Sequence, residues 1–175
     1  IASWSGGKDS CLACYKAIKQ GYDVKLLLNF ISCESKRGCF HGIEGRLLKF
    51  QADLIGIPLI QREVSPDMQK YEEEFKAAVT ELRGDDINTM VFGDIYLLEH
   101  ESWIERVCAD LKLKAVEPLW NNSPEKIIEC LNRISCSNEQ DNLYLFDYRS
   151  EISDAIGNDL GIDFTRKRLR LGEIK

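Results

Sequence analysis

The stretch Ser5-Gly6-Gly7-Lys8-Asp9-Ser10 decides how this chain folds, because it joins a short apolar segment at residues 1–4 to a helical pattern. Apolar residues recur at helical spacing over residues 11–20, and Gly21 ends that pattern. Two adjacent glycines let backbone N–H groups turn toward a ligand. The start of a helix adds unpaired N–H donors and a partial positive charge. This segment, the SGGKDS loop, therefore predicts a binding site for a phosphate or pyrophosphate group.

The SGGKDS loop differs from the common P-loop. That motif needs Gly-x4-Gly-Lys-Ser/Thr, whereas here the two glycines are adjacent and Asp9 follows Lys8. The loop resembles the PP-loop, Ser-Gly-Gly-x-Asp-Ser, of the N-type ATP pyrophosphatases. That resemblance implies cleavage of ATP to AMP and pyrophosphate while a substrate is adenylated. The alternative is a plain glycine-rich turn capped by Ser and Asp side chains.

Composition limits the class of protein. The chain has 175 residues, of which 44% are hydrophobic and 30% charged, as expected for one globular domain with a small appendage. A formal net charge of −6 gives no electrostatic case for nucleic-acid or membrane binding. The seven cysteines are an odd number and several lie in helical patterns, so we expect reduced thiols and a cytoplasmic protein. We expect no metal or redox role for Cys11-x-x-Cys14, which has no second pair at zinc spacing.

Strand and helix patterns alternate along the chain. Strands are predicted at 24–30, from 57, at 89–92 and from 114, with helices at 43–55, 68–82, 103–111 and 123–134. This alternation predicts an α/β fold, a Rossmann-like parallel sheet with helices on both faces. Ligands bind such sheets at the carboxyl ends of the strands, where the SGGKDS loop, Asn29 and Gly93-Asp94 are expected to lie.

The chain divides into two expected regions. Residues 1–134 are predicted to form an ATP-binding domain, and residues 135–175 a smaller C-terminal, substrate-side region. Within the second region we predict a strand at 143–146, and we interpret the basic cluster at 166–170 as a solvated face.

Three further segments sharpen the resemblance: CFHGI at 39–43, FGDI at 92–95 and EPLW at 117–120. With the SGGKDS loop, their order resembles the ATP-binding domain of the diphthine–ammonia ligase family, over residues 1–134. The resemblance implies an ATP-dependent, AMP-forming ligase that uses ATP, Mg²⁺ and ammonia. It implies a carboxylate acceptor, diphthine on a translation elongation factor in the family's archetype, and we leave a homodimer open. The family's C-terminal Gly-Glu-x-Gly-Glu motif is not found, so residues 135–175 are expected to be diverged or incomplete.

Candidate site residues follow from the loop chemistry and the resemblance. Lys8, Asp9, His41 and Asp94 are the candidate catalytic residues, and Asp9 and Asp94 the candidate Mg²⁺ ligands. The candidate nucleotide-binding residues are Ser5, Gly6, Gly7, Lys8, Asp9, Ser10, Asn29, Gly93 and Asp94.

Purely structural alternatives stand beside several of these assignments. Asp94 also suits a helix N-cap or a turn, and His41 a loop histidine packed against Phe40. Asn29 also suits a turn at the end of a strand. Glu117 is a weaker candidate for a site carboxylate, and residues 33–42 are a candidate lid.

Two other functions remain open at this point. An RNA thiolation enzyme uses the same loop but needs a persulfide cysteine, for which Cys33 and Cys39 are placed past a strand end. The acidic charge and the missing zinc spacing disfavour it. A non-catalytic ATP- or AMP-binding protein is the other alternative; the intact SGGKDS loop disfavours it, and an absent acceptor site would favour it.

Overall fold

The computed structural model describes residues 1–39, 41–65 and 67–136. The strands are β1 Ala2–Ser3, β2 Leu27–Ser32, β3 Leu59–Val64, β4 Thr89–Val91 and β5 Lys114–Val116. The helices are α1 Lys8–Lys19, α2 Gly45–Ile55, α3 Met68–Arg83, α4 Leu98–Asp110 and α5 Pro124–Cys136. Each strand is followed by a helix, as the alternating sequence pattern predicts.

The strands form one parallel sheet in the order β3-β2-β1-β4-β5. The predicted Rossmann-like parallel sheet is therefore confirmed. Ala2 pairs with Leu27 of β2 on one side and with Val91 of β4 on the other, so the short β1 is the central strand. The chain moves outward from β1 in both directions, which makes the carboxyl end of β1 the topological switch point of the sheet.

The main apolar core lies between the sheet and helices α3 and α4. Leu28 and Phe30 of β2 pack there with Phe75, Val79 and Ile104, all buried. Because successive residues of a strand point to opposite faces, Leu27 and Asn29 face the other side of the sheet. On that side the Trp4 indole reaches α2, and right-handed crossovers place α1 on the same face.

Several element boundaries differ from the predicted ones by one to five residues, and the differences at β2 and α4 have clear physical causes. Strand β2 begins at Leu27 rather than residue 24 and runs on to Ser32, because residues 27–32 pair one for one with 59–64 of β3. Pairing with β3, and not the length of the apolar run, sets its bounds. Helix α4 begins at Leu98, five residues before the predicted start. The sequence pattern did not reveal its first turn, because that turn is exposed and lacks the apolar periodicity of a buried helix face.

The chain divides into compact units at Ile1–Ser123 and Pro124–Lys175. The predicted division after residue 134 stays a prediction, and the strand at 143–146 and the basic cluster at 166–170 lie outside the described residues. Among the helices of the described part of the chain, none is both long and apolar enough to cross a membrane.

Glu72 of α3 ties that helix to α4. Its carboxylate accepts hydrogen bonds from the Trp103 indole at 3.1 Å and from Arg106 Nη2 at 2.7 Å, and Lys76 of its own helix donates at 2.7 Å. The hydrogen bonds from Arg106, and then from Lys76, lower the pKa of Glu72 to about 2. The ionised carboxylate is therefore the form that the folded state favours.

We expect Glu72→Gln to destabilise the fold at neutral pH and to matter less in acid. Because the folded-state pKa is depressed, the stabilisation is present above the ordinary value of 4.5 and is lost as the pH falls through about 2. Urea denaturation at pH 7 and pH 3 measures the difference, with the exposed Glu73→Gln as the matched control. If Glu72→Gln lowers the free energy of unfolding as much at pH 3 as at pH 7, the effect comes from packing and not from charge.

Candidate active site

The SGGKDS loop lies between β1 and α1, at the switch point of the sheet. Gly6 has φ +79°, a left-handed conformation that glycine adopts without strain. A Cβ at Gly6 would also overlap Leu48 Cδ2 of α2, whose side chain would have to move to make room. Gly7 is the N-cap of α1 and no side chain caps that helix start. The first N–H groups of α1 are therefore open to an anion.

Two hydroxyl groups close the loop on itself. Ser5 Oγ donates to Ser10 Oγ at 3.1 Å, and Ser10 Oγ donates to the Gly7 carbonyl at 3.0 Å. The Gly7 N–H makes a long contact of 3.4 Å with Ser5 Oγ. Ser10 is buried, so its hydroxyl is fixed by the protein rather than by solvent. Both serines thus lie within the loop, as phosphate binding requires.

Lys8 and Asp9 form an ion pair at the helix start. Lys8 Nζ lies 2.8 Å from Asp9 Oδ2, and the lysine side chain is 55% exposed. The other oxygen, Asp9 Oδ1, is buried without a hydrogen-bond partner among the described residues. A buried carboxylate oxygen without a donor is costly, so it is suited to a bound cation or a ligand donor.

Gly93, directly after β4, packs against the first turn of α1. A Cβ at Gly93 would lie 2.8 Å from the Ser10 nitrogen and 2.9 Å from the Asp9 carbonyl carbon. Both neighbours are backbone atoms, which cannot swing aside as a side chain can. The glycine therefore lets β4 and α1 approach, and it brings Asp94, the next residue, to the edge of the SGGKDS loop.

Asp94 and Glu117 belong to an acidic group past the ends of β4 and β5. Asp94 Oδ1 lies 2.8 Å from Nδ1 of His100 on α4. Glu117 Oε2 is buried and has no hydrogen-bond partner within the described ranges. Loss of solvent, and then the negative charges of Asp94, Glu101 and Glu105, raise the pKa of Glu117 to about 7. Glu117 thus exchanges a proton near neutral pH.

His41 lies against the SGGKDS loop. A Cβ on Gly7 would be 2.7 Å from His41 Nε2, which places the imidazole over the loop. The segment that carries it folds back through single bridges, Ile31 with Gly38 and Arg37 with Glu44. Part of the candidate lid, residues 33–42, therefore lies against the SGGKDS loop. Phe40, the alternative packing partner of His41, lies outside the described residues.

The side chain of Asn29 is buried and hydrogen-bonded within the protein. It is only 2% exposed; its Nδ2 donates to the Trp4 carbonyl at 2.8 Å and its Oδ1 accepts from Gln61 Nε2 at 3.2 Å. It holds the chain just before the SGGKDS loop. Its predicted contact with the nucleotide stays a prediction.

Sequence reasoning missed Gln51 and His100. Gln51 of α2 donates to the Gly6 carbonyl, and His100 is the partner of Asp94. A signal for Gln51 was available, since it lies three residues after Leu48 and beside Ala52, both buried. A polar residue on the apolar face of a helix needs a polar partner.

The cysteines differ by position. Cys11 and Cys14 of α1 are buried, and burial raises the pKa of Cys11 to about 12 and that of Cys14 to about 11. They are neutral thiols at physiological pH, with little nucleophilic character. Cys33 and Cys39 are exposed within the folded-back segment. Partial loss of solvent, and then the charge of Cys33, raise the pKa of Cys39.

The residues present suit Mg²⁺ that arrives with a nucleotide. No group of three His, Cys, Asp or Glu side chains that could hold a metal occurs among the described residues. Mg²⁺ is usually held by one or two carboxylates together with substrate phosphates, and not by an all-protein cage. The unpartnered Asp9 Oδ1 fits that role, and Asp94 adds a second carboxylate past the end of β4.

A glycine loop at the switch point of a parallel sheet, with an uncapped helix start and two fixed serine hydroxyls, defines an α/β phosphate-binding domain of the PP-loop type. Residues 1–115 match the model of the diphthamide synthase N-terminal domain family. The chain belongs to this family, whose members are ATP-utilising enzymes. No curated protein matches the chain.

Solved structures share the fold. The chain is similar to the crystal structure of a predicted subunit of tRNA methyltransferase from Methanocaldococcus jannaschii, with 18% identity and a TM-score of 0.50. The likeness covers 97% of this chain and 94% of that one. At this identity it shows the fold alone.

We expect Gly93→Ala to weaken both the fold and nucleotide binding. The added Cβ would overlap backbone atoms of Ser10 and Asp9, and overpacking of this kind costs about 1–3 kcal/mol. Thermal unfolding and calorimetric ATP titration measure the two effects. Gly38→Ala is the matched control, because its Cβ would make an ordinary 3.5 Å contact with the Ile43 carbonyl. Equal behaviour of the two variants would contradict the close approach of β4 and α1.

We expect Glu117→Gln to remove a pH dependence of stability. Because the folded-state pKa lies above the ordinary 4.5, the stability that Glu117 contributes is full below pH 4.5 and is lost as the pH rises through about 7. The Tm of the wild type should therefore fall relative to that of the variant between pH 5 and 8. Comparing the two proteins at each pH isolates the contribution of Glu117 from the pH effects that they share. The exposed Glu34→Gln should run parallel to wild type; a flat difference for Glu117→Gln would refute the raised pKa.

Proposed function

We propose that this chain is an ATP-dependent, AMP-forming ligase that adenylates a carboxylate and transfers ammonia to it. The observation that carries the proposal is the SGGKDS loop, closed by its own serines at an uncapped helix start and held between Gly93 and α2. Membership of the diphthamide synthase N-terminal domain family supports the same function. The proposed acceptor is the carboxylate of diphthine on a translation elongation factor, and the proposed compartment is the cytoplasm.

The proposed reaction has two steps. A carboxylate oxygen of the acceptor attacks the α-phosphorus of ATP, the bond to the bridging αβ oxygen breaks, and pyrophosphate leaves. Ammonia then attacks the acyl carbon of the acyl adenylate, AMP leaves with its electron pair, and the nitrogen loses a proton. Adenylation is needed because a free carboxylate is a poor electrophile, whereas AMP is a good leaving group.

The loop suits pyrophosphate as the leaving group. It lacks the Gly-Lys-Ser/Thr order that places a lysine on the γ-phosphate and a hydroxyl on the metal. Instead, the N–H groups at the start of α1 and Lys8 offer donors and positive charge to one bound anion. The Ser10 hydroxyl would turn from the Gly7 carbonyl to donate to the same anion. Mg²⁺ brought by ATP, with Asp9 and Asp94 as its protein ligands, would neutralise further charge on the phosphates.

Ammonia poses a separate problem, because at neutral pH it is mostly ammonium and must lose a proton before it attacks. Glu117 supports this step, since its pKa of about 7 and its unpartnered buried oxygen suit a proton acceptor. His41, over the loop, is the other candidate for moving a proton or for neutralising phosphate charge.

The position of ATP cleavage tests the proposal. With ATP labelled in the α-phosphate, ammonium and a diphthine-bearing elongation factor, we expect the label in AMP and amide formation that depends on ammonium. Ser10→Ala should lose about 1–3 kcal/mol of ATP binding, because a charge-assisted hydrogen bond is removed. Ser102→Ala, on the exposed side of α4, is the matched control.

Other outcomes would overturn the proposal in recognisable ways. Label in ADP together with free orthophosphate would contradict cleavage between the α and β phosphates. ATP binding without turnover for any carboxylate would favour a non-catalytic nucleotide-binding protein. Turnover that stops in Cys33→Ser with Cys39→Ser, with ATP binding unchanged, would favour RNA thiolation. Unchanged ATP affinity in the Gly6→Val, Ser10→Ala double variant would place the nucleotide elsewhere.

A further inference from the structure

Gln51 of α2 makes two hydrogen bonds at the SGGKDS loop with one amide group. Its Oε1 accepts from the Trp4 indole Nε1 at 3.2 Å, and its Nε2 donates to the Gly6 carbonyl at 3.1 Å. Neither partner is close in sequence, since the separations are 47 and 45 residues. Gln51 therefore links the segments on both sides of Ser5 to the helix beneath them.

The chemistry of the indole fixes which way the amide points. An indole N–H only donates, so the oxygen of Gln51 must face Trp4. The amide nitrogen is then left to face Gly6, whose carbonyl only accepts. Trp4 is itself held firmly: its side chain is fully buried and its carbonyl accepts from Asn29 Nδ2 at 2.8 Å. The orientation of the Gln51 amide is thus set from outside the loop.

The Gly6 carbonyl in turn controls the Gly7 N–H. The two groups belong to one planar trans peptide unit, in which the carbonyl oxygen and the amide hydrogen point in opposite directions. Holding the oxygen on Gln51 turns the hydrogen toward the interior of the loop. There its acceptor is Ser5 Oγ at the long distance of 3.4 Å, so most of its donor capacity is unused.

We propose that Gln51 is a positioning residue for phosphate binding, which holds the Gly6–Gly7 peptide so that the Gly7 N–H donates to the bound pyrophosphate group. The inference rests on the proposed function only in taking the SGGKDS loop as the phosphate site. Gly6, at φ +79°, has no Cβ to restrict rotation of this peptide. Gln51 supplies the restraint that the glycine lacks, and a donor fixed in advance costs no ordering when the anion binds.

The test uses the full chain and inorganic pyrophosphate, which needs no acceptor. We expect the Gly7 amide of the wild type to move downfield in ¹⁵N-correlated NMR spectra as pyrophosphate is added. By calorimetry, Gln51→Met should weaken pyrophosphate binding about five- to twenty-fold and leave the affinity for adenosine unchanged, because adenosine carries no phosphate. Gln20→Met, the same substitution at the exposed end of α1, is the matched control.

Several results would overturn the inference. If the Gly7 amide resonance of the wild type does not shift as pyrophosphate is added, the inference is overturned. This result needs no variant, so it holds even if Gln51→Met does not fold. Equal pyrophosphate affinity in Gln51→Met and Gln20→Met also overturns it, and equal losses for pyrophosphate and adenosine would assign Gln51 a general structural role. If Gln51→Met selectively loses pyrophosphate binding but the wild type has no ligase activity, the proposed function is refuted and the role of Gln51 stands. If the wild type is an active ligase but Gln51→Met binds pyrophosphate as tightly as the wild type, the role of Gln51 is refuted and the proposed function stands.

Discussion

The contact of Gly93 with the first turn of α1 is the constraint on which the site depends. Strand β1 has only two residues, yet it is the centre of the sheet, with Ala2 paired to β2 and β4 together. Such a short strand gives the loop after it little support of its own. The support comes from outside: Gly93 approaches from β4, and Leu48 with Gln51 approaches Gly6 from α2. The loop is therefore held from two sides before any ligand arrives, and this is the condition for low-cost anion binding.

The parts that sequence predicts well here are those with local physical causes. The SGGKDS loop is recognisable because adjacent glycines at a strand-to-helix junction have few other uses, and the alternating pattern of strands and helices requires a parallel sheet. Asn29 shows the limit. Its position near a strand end follows from the sequence, but its side chain goes to the Trp4 carbonyl, a partner 25 residues away that no periodicity reveals. For Gln51, periodicity could have placed the side chain on the apolar face of α2, but its two partners, Trp4 and Gly6, come together with it only in three dimensions.

Charge is distributed unevenly along the carboxyl edge of the sheet. The start of α1 and Lys8 supply positive potential and N–H donors, whereas Asp94, Glu101 and Glu105 form an acidic group near Glu117. Loss of solvent, and then the charges of this acidic group, raise the pKa of Glu117 to about 7. A polyanion such as pyrophosphate is favoured at the start of α1 and is repelled by the acidic group. A cation such as ammonium is favoured near the acidic group, where Glu117 is the candidate acceptor for its proton. Under the proposed function, this asymmetry separates departing pyrophosphate from incoming ammonia along a single edge.

The groups proposed to bind phosphate lie in the first compact unit, Ile1–Ser123, and within the part matched by the family model, residues 1–115. The SGGKDS loop, Gln51, His41 and Gly93 are within that range. Activation of a carboxylate by ATP makes the same demands whatever acid is activated, because the phosphorus, the leaving group and the metal do not change. Recognition of the acceptor makes different demands for each acid. A family can therefore keep one nucleotide site, restrained by buried contacts such as those of Trp4 and Gln51, while the residues that choose the acceptor vary independently.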